Sequence, residues 1–386
     1  MTAPLQTTAT PLRLLFAAGG TGGHVYPALA IADAVRAIRP GAAITFAGTA
    51  GRLEATAVPK AGYAFEPVRA AALPRRLSAD ALRAPVTLAR GVWEALGVVR
   101  AARPHVAVGT GGYVTAPVLA MARLAGVPVV VQEQNAFAGV TNRVLGRFAA
   151  EVHVAFEEAL SAFPDGRAVV SGNPVRASVA GGDRAEALAA FGIPDGVPVL
   201  VVTGGSLGAQ RLNEALLVHL PAMLGEAAHA LWITGPRYHD RTESALGGLG
   251  AGVTARVHVV PYLDRMALAY AAADLFLCRA GAITLAELAL TGTPAVLVPS
   301  PNVAEDHQTH NARAAERAGA ALLVPEATVE ATLASAVHAL LHDPARLAAM
   351  SAAALASARP DAATDIARRV VAIADARAAG SRKGRV

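Results

Sequence analysis

Three glycine-rich clusters and a fourth strand-to-helix turn hold most of the residues in this 386-residue chain whose types and spacing could do chemistry. Gly19-Gly20-Thr21-Gly22-Gly23-His24 and Gly204-Gly205-Ser206-Leu207-Gly208-Ala209 each follow an apolar run and precede a helical pattern. Glycines placed directly after a buried strand let the backbone turn sharply and bring N–H groups close to an anion, while the next helix offers the positive end of its dipole. Each cluster is therefore a candidate diphosphate site, with Thr21 and Ser206 adding a hydroxyl at equivalent places. Either one alone reads equally well as a tight strand-to-helix turn. A third cluster, Gly109-Thr110-Gly111-Gly112-Tyr113, follows Val106–Val108 and precedes a helical stretch near Ala116, so it should border the same cleft as the first. The fourth, Arg279-Ala280-Gly281-Ala282-Ile283-Thr284-Leu285-Ala286-Glu287, carries a carboxylate into the first turns of a helix. There Glu287 could bind both hydroxyls of a ribose or simply complement the helix dipole. Arg176, in Gly172-Asn173-Pro174-Val175-Arg176, could bridge a cleft or be an ordinary surface arginine.

Two absent patterns narrow the chemistry. The chain has no Gly-x-x-x-x-Gly-Lys-Ser/Thr loop, which argues against nucleotide hydrolysis of the P-loop kind. It also has no Asp-x-Asp element. A sugar-nucleotide enzyme built this way would meet leaving-group charge with backbone amides, helix dipoles and arginine.

The elements that must position these loops are strands alternating with helices. Strands are expected at 12–18, 43–47, 106–108, 127–131, 151–155 and 168–171, then at 197–202, 230–234, 256–260, 275–278 and 295–299. That alternation predicts parallel sheets in an α/β protein. Gly19 and Gly204 stand 185 residues apart, about the length of one Rossmann-like unit, so the architecture reads as duplicated. A helix from Pro27 should follow the first loop, a helix at 211–220 the second, and an Ala-rich helix at 184–191 a hinge at 172–183. The segment from Arg377 onward reads as a frayed tail.

Hydrophobic residues make up 54% of the chain and aromatics only 4%. A spanning helix needs about 20 apolar residues, whereas the longest uncharged runs, 106–122 and 288–304, are broken by Gly109, Gly111, Gly112 and Pro117 or by Gly292, Pro294 and Pro299. Such runs read as strands buried on both faces. Residues 1–11 lack the charged and apolar regions of a signal peptide. The single cysteine, Cys278, excludes an internal disulfide and a cysteine zinc cluster and points to a reducing, cytoplasmic setting. A net charge of +5 suits phosphorylated ligands or an anionic membrane, and no basic stripe interleaved with aromatics calls for nucleic acid.

Taken in order, Gly19–His24, Gly109–Tyr113, Glu133-Gln134-Asn135, Gly172–Arg176, Gly204–Ala209, Cys278–Ala282 with Glu287, and Asp306-His307-Gln308 closely resemble the MurG family across roughly residues 12–375. The resemblance implies a GT-B fold: two Rossmann-like, doubly wound parallel-sheet domains facing a central cleft. Residues 12–176 would form the acceptor and membrane-associating domain, 184–360 the UDP-GlcNAc domain, and 361–378 a last helix crossing back to the first domain. It also implies a metal-independent, cofactor-free, inverting reaction, in which GlcNAc passes from UDP-GlcNAc to the C4 hydroxyl of MurNAc in undecaprenyl-diphosphate-MurNAc-pentapeptide. The alternatives are another GT-B lipid glycosyltransferase, a UDP-GlcNAc-using enzyme such as a 2-epimerase, or a non-catalytic nucleotide-sugar binding module.

Matched residue by residue, Ser206 would contact the donor diphosphate. Leu263, Ala282, Ile283, Thr284, Leu285 and Ala286 would surround the nucleoside, Glu287 would bind the ribose, and Gln308 would read GlcNAc hydroxyls. Thr21, Gly22, Gly23, Asn135 and Arg176 would close on the donor, with Arg176 near phosphate. Gly19, Gly20, Gly111, Gly112 and Tyr113 would receive the acceptor diphosphate. His24 would be the general base, since imidazole titrates near neutrality, although a capping or loop-ordering histidine fits the same position. The chain departs from the family pattern at Gln132, where many relatives carry His, and at Leu207, where many carry Gln.

A lipid acceptor requires reaching a bilayer, peripherally and on its cytoplasmic face in a bacterium, with other cell-wall synthesis proteins as further partners. Residues 73–103 carry Arg75, Arg76, Arg83, Arg90, Arg100 and Arg103 against Asp80 and Glu94. After a helix start at Pro85, Val86, Ala89, Trp93 and Leu96 recur at helical spacing. The expectation is that this stripe covers the sheet and that Leu73, Arg75 and Arg76 meet the anionic surface.

Overall fold

The computed structural model describes residues 11–70, 79–205 and 208–383. Two units emerge. Unit 1 comprises the chain up to Gln134, then Ala138–Pro174 and the segment from Asp361, whereas unit 2 comprises Asn135–Phe137 and Val175–Pro360.

In unit 1, seven strands alternate with five helices along the chain: β1 (Arg13–Ala18), α1 (Gly22–Ile38), β2 (Ala43–Gly48), α2 (Leu53–Lys60), β3 (Ala64–Pro67), α3 (Ala79–Ala102), β4 (Val106–Gly111), α4 (Thr115–Leu124), β5 (Val129–Glu133), α5 (Val140–Gly146), β6 (Glu151–Val154) and β7 (Ala168–Val170). In unit 2 the course is α6 (Arg184–Phe191), β8 (Val199–Thr203), α7 (Gln210–Leu224), β9 (His229–Ile233), α8 (His239–Leu246), α9 (Ala251–Thr254), β10 (Val257–Val260), α10 (Met266–Ala272), β11 (Leu275–Cys278), α11 (Ala282–Thr291), β12 (Ala295–Leu297), α12 (His307–Arg317), β13 (Ala321–Leu323), α13 (Val329–Leu341) and α14 (Pro344–Ser357). A last helix, α15 (Ala362–Lys383), returns to unit 1.

Both sheets are parallel throughout, in the order β3-β2-β1-β4-β5-β6-β7 and β10-β9-β8-β11-β12-β13. The two orders are the same, one strand longer in unit 1. The central strands are buried on both faces, Leu14, Leu15, Phe16 and Ala17 in β1 and Val199 to Val202 in β8, which accounts for their unbroken apolar runs. The expected fold class, two doubly wound α/β units, is therefore present. The order reverses between β1 and β4 and again between β8 and β11, so each unit has one switch point where ligands of such sheets bind. The three glycine clusters and the Arg279–Gly281 turn leave these four strands.

Several elements differ from expectation. α1 starts at Gly22, not Pro27, which is its sixth residue. Two glycines cost a helix about 1 kcal/mol each, but Val25, Ala28, Leu29, Ile31 and Ala32 are buried against the sheet and outweigh that cost. β4 runs through Gly109, Thr110 and Gly111, so much of the third cluster is strand. The edge strands β3 and β13 were not expected: β3 is mostly exposed and ends in Glu66 and Pro67, and two of the three β13 residues are only half-buried. α3 begins at Ala79 with Pro85 inside it. Its later residues Ala95, Val98 and Val99 are buried, whereas Val86, Ala89 and Trp93 are exposed and Leu96 is half-buried, so most of the stripe expected to cover the sheet faces outward.

Candidate functional site

In unit 1 the β1–α1 and β4–α4 turns lie side by side because their strands pair, and the Gly19 amide donates to Gly111 O (3.3 Å). Gly111 and Gly112 have φ of 113° and 88°. A Cβ on Gly112 would sit 2.2 Å from Gly19 O, and one on Gly111 would sit 2.7 Å from His24 Cδ2. Only glycine therefore allows the two turns to meet with the imidazole between them. His24 Nδ1 donates to Gly19 O (3.0 Å), and since a carbonyl has no proton to give, Nε2 is the acceptor nitrogen of the neutral ring. Thr110 Oγ1 donates to His24 O (2.7 Å), and Thr115 Oγ1 donates to Gly111 O (2.7 Å). Neither α1, whose N-cap is Thr21, nor α4 has a side-chain cap over its first amides. Tyr113 is exposed.

Sequence reasoning passed over Glu54. It lies in the first turn of α2, where an acidic residue reads as a dipole partner, yet it is 1% exposed and accepts from the amides of Gly20 (3.2 Å) and Thr49 (3.0 Å). The Gly20 amide, expected to hold acceptor diphosphate, is thus engaged by the protein itself. Gln132, where relatives carry His, is fully buried and donates to Asn173 Oδ1 (3.1 Å), while Asn173 Nδ2 donates to Gln134 O (3.0 Å). Glu133 accepts from the Gly139 amide (3.1 Å) and Asn142 Nδ2 (2.9 Å).

In unit 2 the sheet is parallel, so the chain leaves β8, β10, β11 and β12 at one edge. Ser206 and Leu207, in the turn after β8, lie outside the described residues. Leu263, half-buried, follows β10. After β11, Arg279 Nη1 donates to the carbonyls of Val298 (3.1 Å) and Pro299 (3.2 Å) and its Nη2 pairs with Glu326, which fixes the chain entering α11. Ala282 to Glu287 form the first six residues of that helix. Tyr270 Oη donates to Glu287 Oε2 (2.7 Å), and its ring stacks on Phe276 at 5.0 Å. Burial pushes the Glu287 carboxyl above its ordinary range, opposed by the Tyr270 hydrogen bond and the charge of Arg176. Arg176, expected near phosphate, thus acts on the carboxylate expected at the ribose. Gln308 Oε1 accepts from the Ser300 amide (2.8 Å).

Asn135 clusters with unit 2 although residues 12–176 were expected in the first domain. The cause is Asn311, fully buried on α12: its Nδ2 donates to Asn135 Oδ1 (3.1 Å) and Ala280 O (3.2 Å), and its Oδ1 accepts the Ala136 amide (2.8 Å). Phe137 stacks on His310 at 5.0 Å. Just before α12, Glu305 and Asp306 both have positive φ, 55° and 49°, a strain of about 1–3 kcal/mol each. Among the described residues no group of three His, Cys, Asp or Glu is placed to hold a metal ion.

Gly19 to His24 and Gly111 to Tyr113 are thus gathered in unit 1, whereas Asn135, Arg176, Leu263, Ala282 to Glu287 and Gln308 belong to unit 2. Tyr270 and Asn311 join the second group, and neither carries a sequence signal beyond an ordinary helical position.

Residues 14–154 match the glycosyltransferase family 28 N-terminal domain and 199–366 its C-terminal domain. A Salinibacter ruber protein is 54% identical over 96% of this chain and 99% of its own. One from Symbiobacterium thermophilum is 44% identical over 94% and 96%. Both are named UDP-N-acetylglucosamine--N-acetylmuramyl-(pentapeptide) pyrophosphoryl-undecaprenol N-acetylglucosamine transferase. The crystal structure of Acinetobacter baumannii MurG superposes with a TM-score of 0.74 at 29% identity, covering 93% of this chain and 99% of that one. A UDP-N-acetylglucosamine 2-epimerase from Listeria monocytogenes, 12% identical with a TM-score of 0.68 over 93% and 95%, shares the fold alone. With both family domains matched in order and relatives alike over nearly their whole length, the chain belongs to glycosyltransferase family 28 and, within it, to the MurG family.

Proposed function

We propose that this protein transfers GlcNAc from UDP-GlcNAc to the C4 hydroxyl of MurNAc in undecaprenyl-diphosphate-MurNAc-pentapeptide, the step from lipid I to lipid II in peptidoglycan synthesis. The observation that carries this reading is the near full-length likeness to relatives whose names state the reaction.

In this reading unit 2 binds the donor. Glu287 accepts from ribose hydroxyls, Leu263 and residues 282–286 surround the nucleoside, and Gln308 and Asn135 read the sugar. The amides at the start of α7, with Ser206, meet the diphosphate through the helix dipole. Unit 1 binds the acceptor, whose diphosphate meets Gly19, Gly111, Gly112 and Tyr113 at the uncapped start of α4, while Thr21, Gly22 and Gly23 at the uncapped start of α1 serve the donor. His24 Nε2 takes the proton of the C4 hydroxyl as that oxygen attacks C1 of GlcNAc. The C1–O bond to UDP breaks with its electron pair leaving on the phosphate, and the anomeric centre inverts. The fixed tautomer of His24 supports this role, because Nδ1 is already donating to Gly19 O.

No helix among the described residues is long and apolar enough to cross a membrane. Peripheral contact with the cytoplasmic face of an anionic bilayer is supported by exposed Val86, Leu88 and Trp93 on α3, with Arg90 and Arg100 exposed on the same helix. Leu73, Arg75 and Arg76, in the preceding segment, lie outside the described residues.

The test incubates purified protein with labelled UDP-GlcNAc and a lipid I analogue in EDTA. Transfer of label supports the reaction without a metal. Binding of donor with no transfer, with or without added magnesium, would replace the enzyme with a nucleotide-sugar binding module.

A further inference from the structure

The hydroxyl of Tyr270 is a buried polar group that the reaction above does not use. Its residue is 4% exposed on α10, its ring stacks on Phe276, and its Oη lies 2.7 Å from Glu287 Oε2 on the neighbouring helix α11. A core position against Phe276 asks only for an aromatic ring, so phenylalanine would satisfy the packing. The hydroxyl therefore has a polar task, and it donates to the carboxylate of Glu287. A carboxylate acting as a hydrogen-bond acceptor for sugar hydroxyls must be ionised and held in one rotamer.

We infer that Tyr270 is a positioning residue for the nucleotide: it holds Glu287 by Oε2 so that Oε1 is presented to a ribose hydroxyl. This rests on reading Glu287 as the ribose-binding carboxylate. Three groups face Glu287 electrostatically from the elements around it: Tyr270 on α10, Arg176 ahead of α6, and Cys278 at the end of β11. Burial and the adjacent carboxylate keep the phenol protonated, and burial likewise keeps the thiol neutral, with its pKa raised to about 12. Among these three, Tyr270 is thus the neutral donor and Arg176 the cation that favour the charged carboxylate. Tyr270 alone adds a direction, since a hydrogen bond constrains the rotamer whereas a field does not.

The experiment compares wild type with Tyr270→Phe and Glu287→Gln, measuring steady-state kinetics for UDP-GlcNAc between about pH 5 and 8 and displacement by UDP and by 2′-deoxy-UDP. Tyr270→Phe should raise the donor KM about tenfold, with kcat changed less than about twofold. It should also begin its acid-side rise in KM at a higher pH than wild type and lose most of the preference for UDP over 2′-deoxy-UDP. An unaltered melting temperature shows that Phe276 packing is intact. If Glu287→Gln raises KM but Tyr270→Phe leaves KM, its pH profile and the deoxy preference unchanged, the positioning role is overturned. If Tyr270→Phe lowers kcat and melting temperature together without touching the deoxy preference, the hydroxyl is structural and the inference also fails. If Glu287→Gln itself leaves the donor KM unchanged, it is the ribose reading that falls.

Discussion

The buried carboxylate of Glu54 holds the amide of Gly20, with both of its oxygens within 3.3 Å of that nitrogen. An anion built into the protein thus sits directly behind the loop proposed to receive a second anion. It also accepts from the Thr49 amide, so it ties β2's exit to β1's exit. Glu54→Ala removes the acceptor of both amides, at about 0.5–1.5 kcal/mol for each hydrogen bond lost. We expect a lower melting temperature by calorimetry and a raised KM for the lipid acceptor, with the donor KM little altered. Equal effects on both substrates would refute a role confined to the acceptor loop.

His24 and Gly111 should fail together. His24→Ala is expected to lower turnover by about 10²–10⁴-fold at saturating substrates, the contribution of a positioned base. Gly111→Ala should also lower it with the histidine still present, because the new Cβ would displace an imidazole carbon 2.7 Å away and must adopt a φ of 113°. Single-turnover rates on both variants provide the check, and near-normal turnover in His24→Ala would remove the base assignment.

Stability should depend on acid through His153. This residue is fully buried on β6, with Nδ1 2.7 Å from Ser171 Oγ, and burial, with the charge of Arg369, lowers its pKa from 6.5 to about 4. The unfolded chain takes up this proton first, so the stability held above about pH 6.5 is lost progressively as pH falls toward about 4, to a total of about 3 kcal/mol. His153→Gln should flatten the melting temperature over that window relative to wild type. A curve that keeps its full slope would assign the acid sensitivity to other groups.

Trp93, 74% exposed, and Val86, 55% exposed, offer apolar surface that the fold leaves outside. Burying a large apolar side chain contributes about 1.5–3 kcal/mol, so Val86→Ser with Trp93→Ser should weaken sedimentation with anionic vesicles by at least about tenfold. Arg75→Glu with Arg76→Glu should weaken it too, more at low salt than at high salt. Vesicle binding that survives all four substitutions would move the contact elsewhere.

The sheets and their switch-point turns were legible because burial on both faces leaves continuous apolar runs, and because a turn such as Gly111–Gly112 has to be written in glycine. The edge strands β3 and β13 were not, since neither forms a fully buried apolar run: β3 is mostly exposed and ends in Glu66 and Pro67, and two of the three β13 residues are only half-buried. The outward stripe of α3 was misread because helical spacing shows that Val86, Ala89 and Trp93 share a face but not which way that face turns. Glu54, Tyr270 and Asn311 were invisible for a related reason: each acts on a residue at least 17 positions away, a pairing that only the folded chain creates.

The last helix has a consequence for how the protein is made. Ile366, Ala367, Val370, Val371 and Ala374 of α15 are buried in one core with Val25, Leu29 and Val35 of α1. The 17-residue α1 therefore keeps its partner face uncovered until more than 300 further residues have been synthesised. The large buried cluster of unit 2, by contrast, runs from Leu200 to Met350 and can close while α15 is still unmade. Of the two cores, the one that α1 enters is thus completed later, so its apolar face stays available for non-native contacts while the chain is being made.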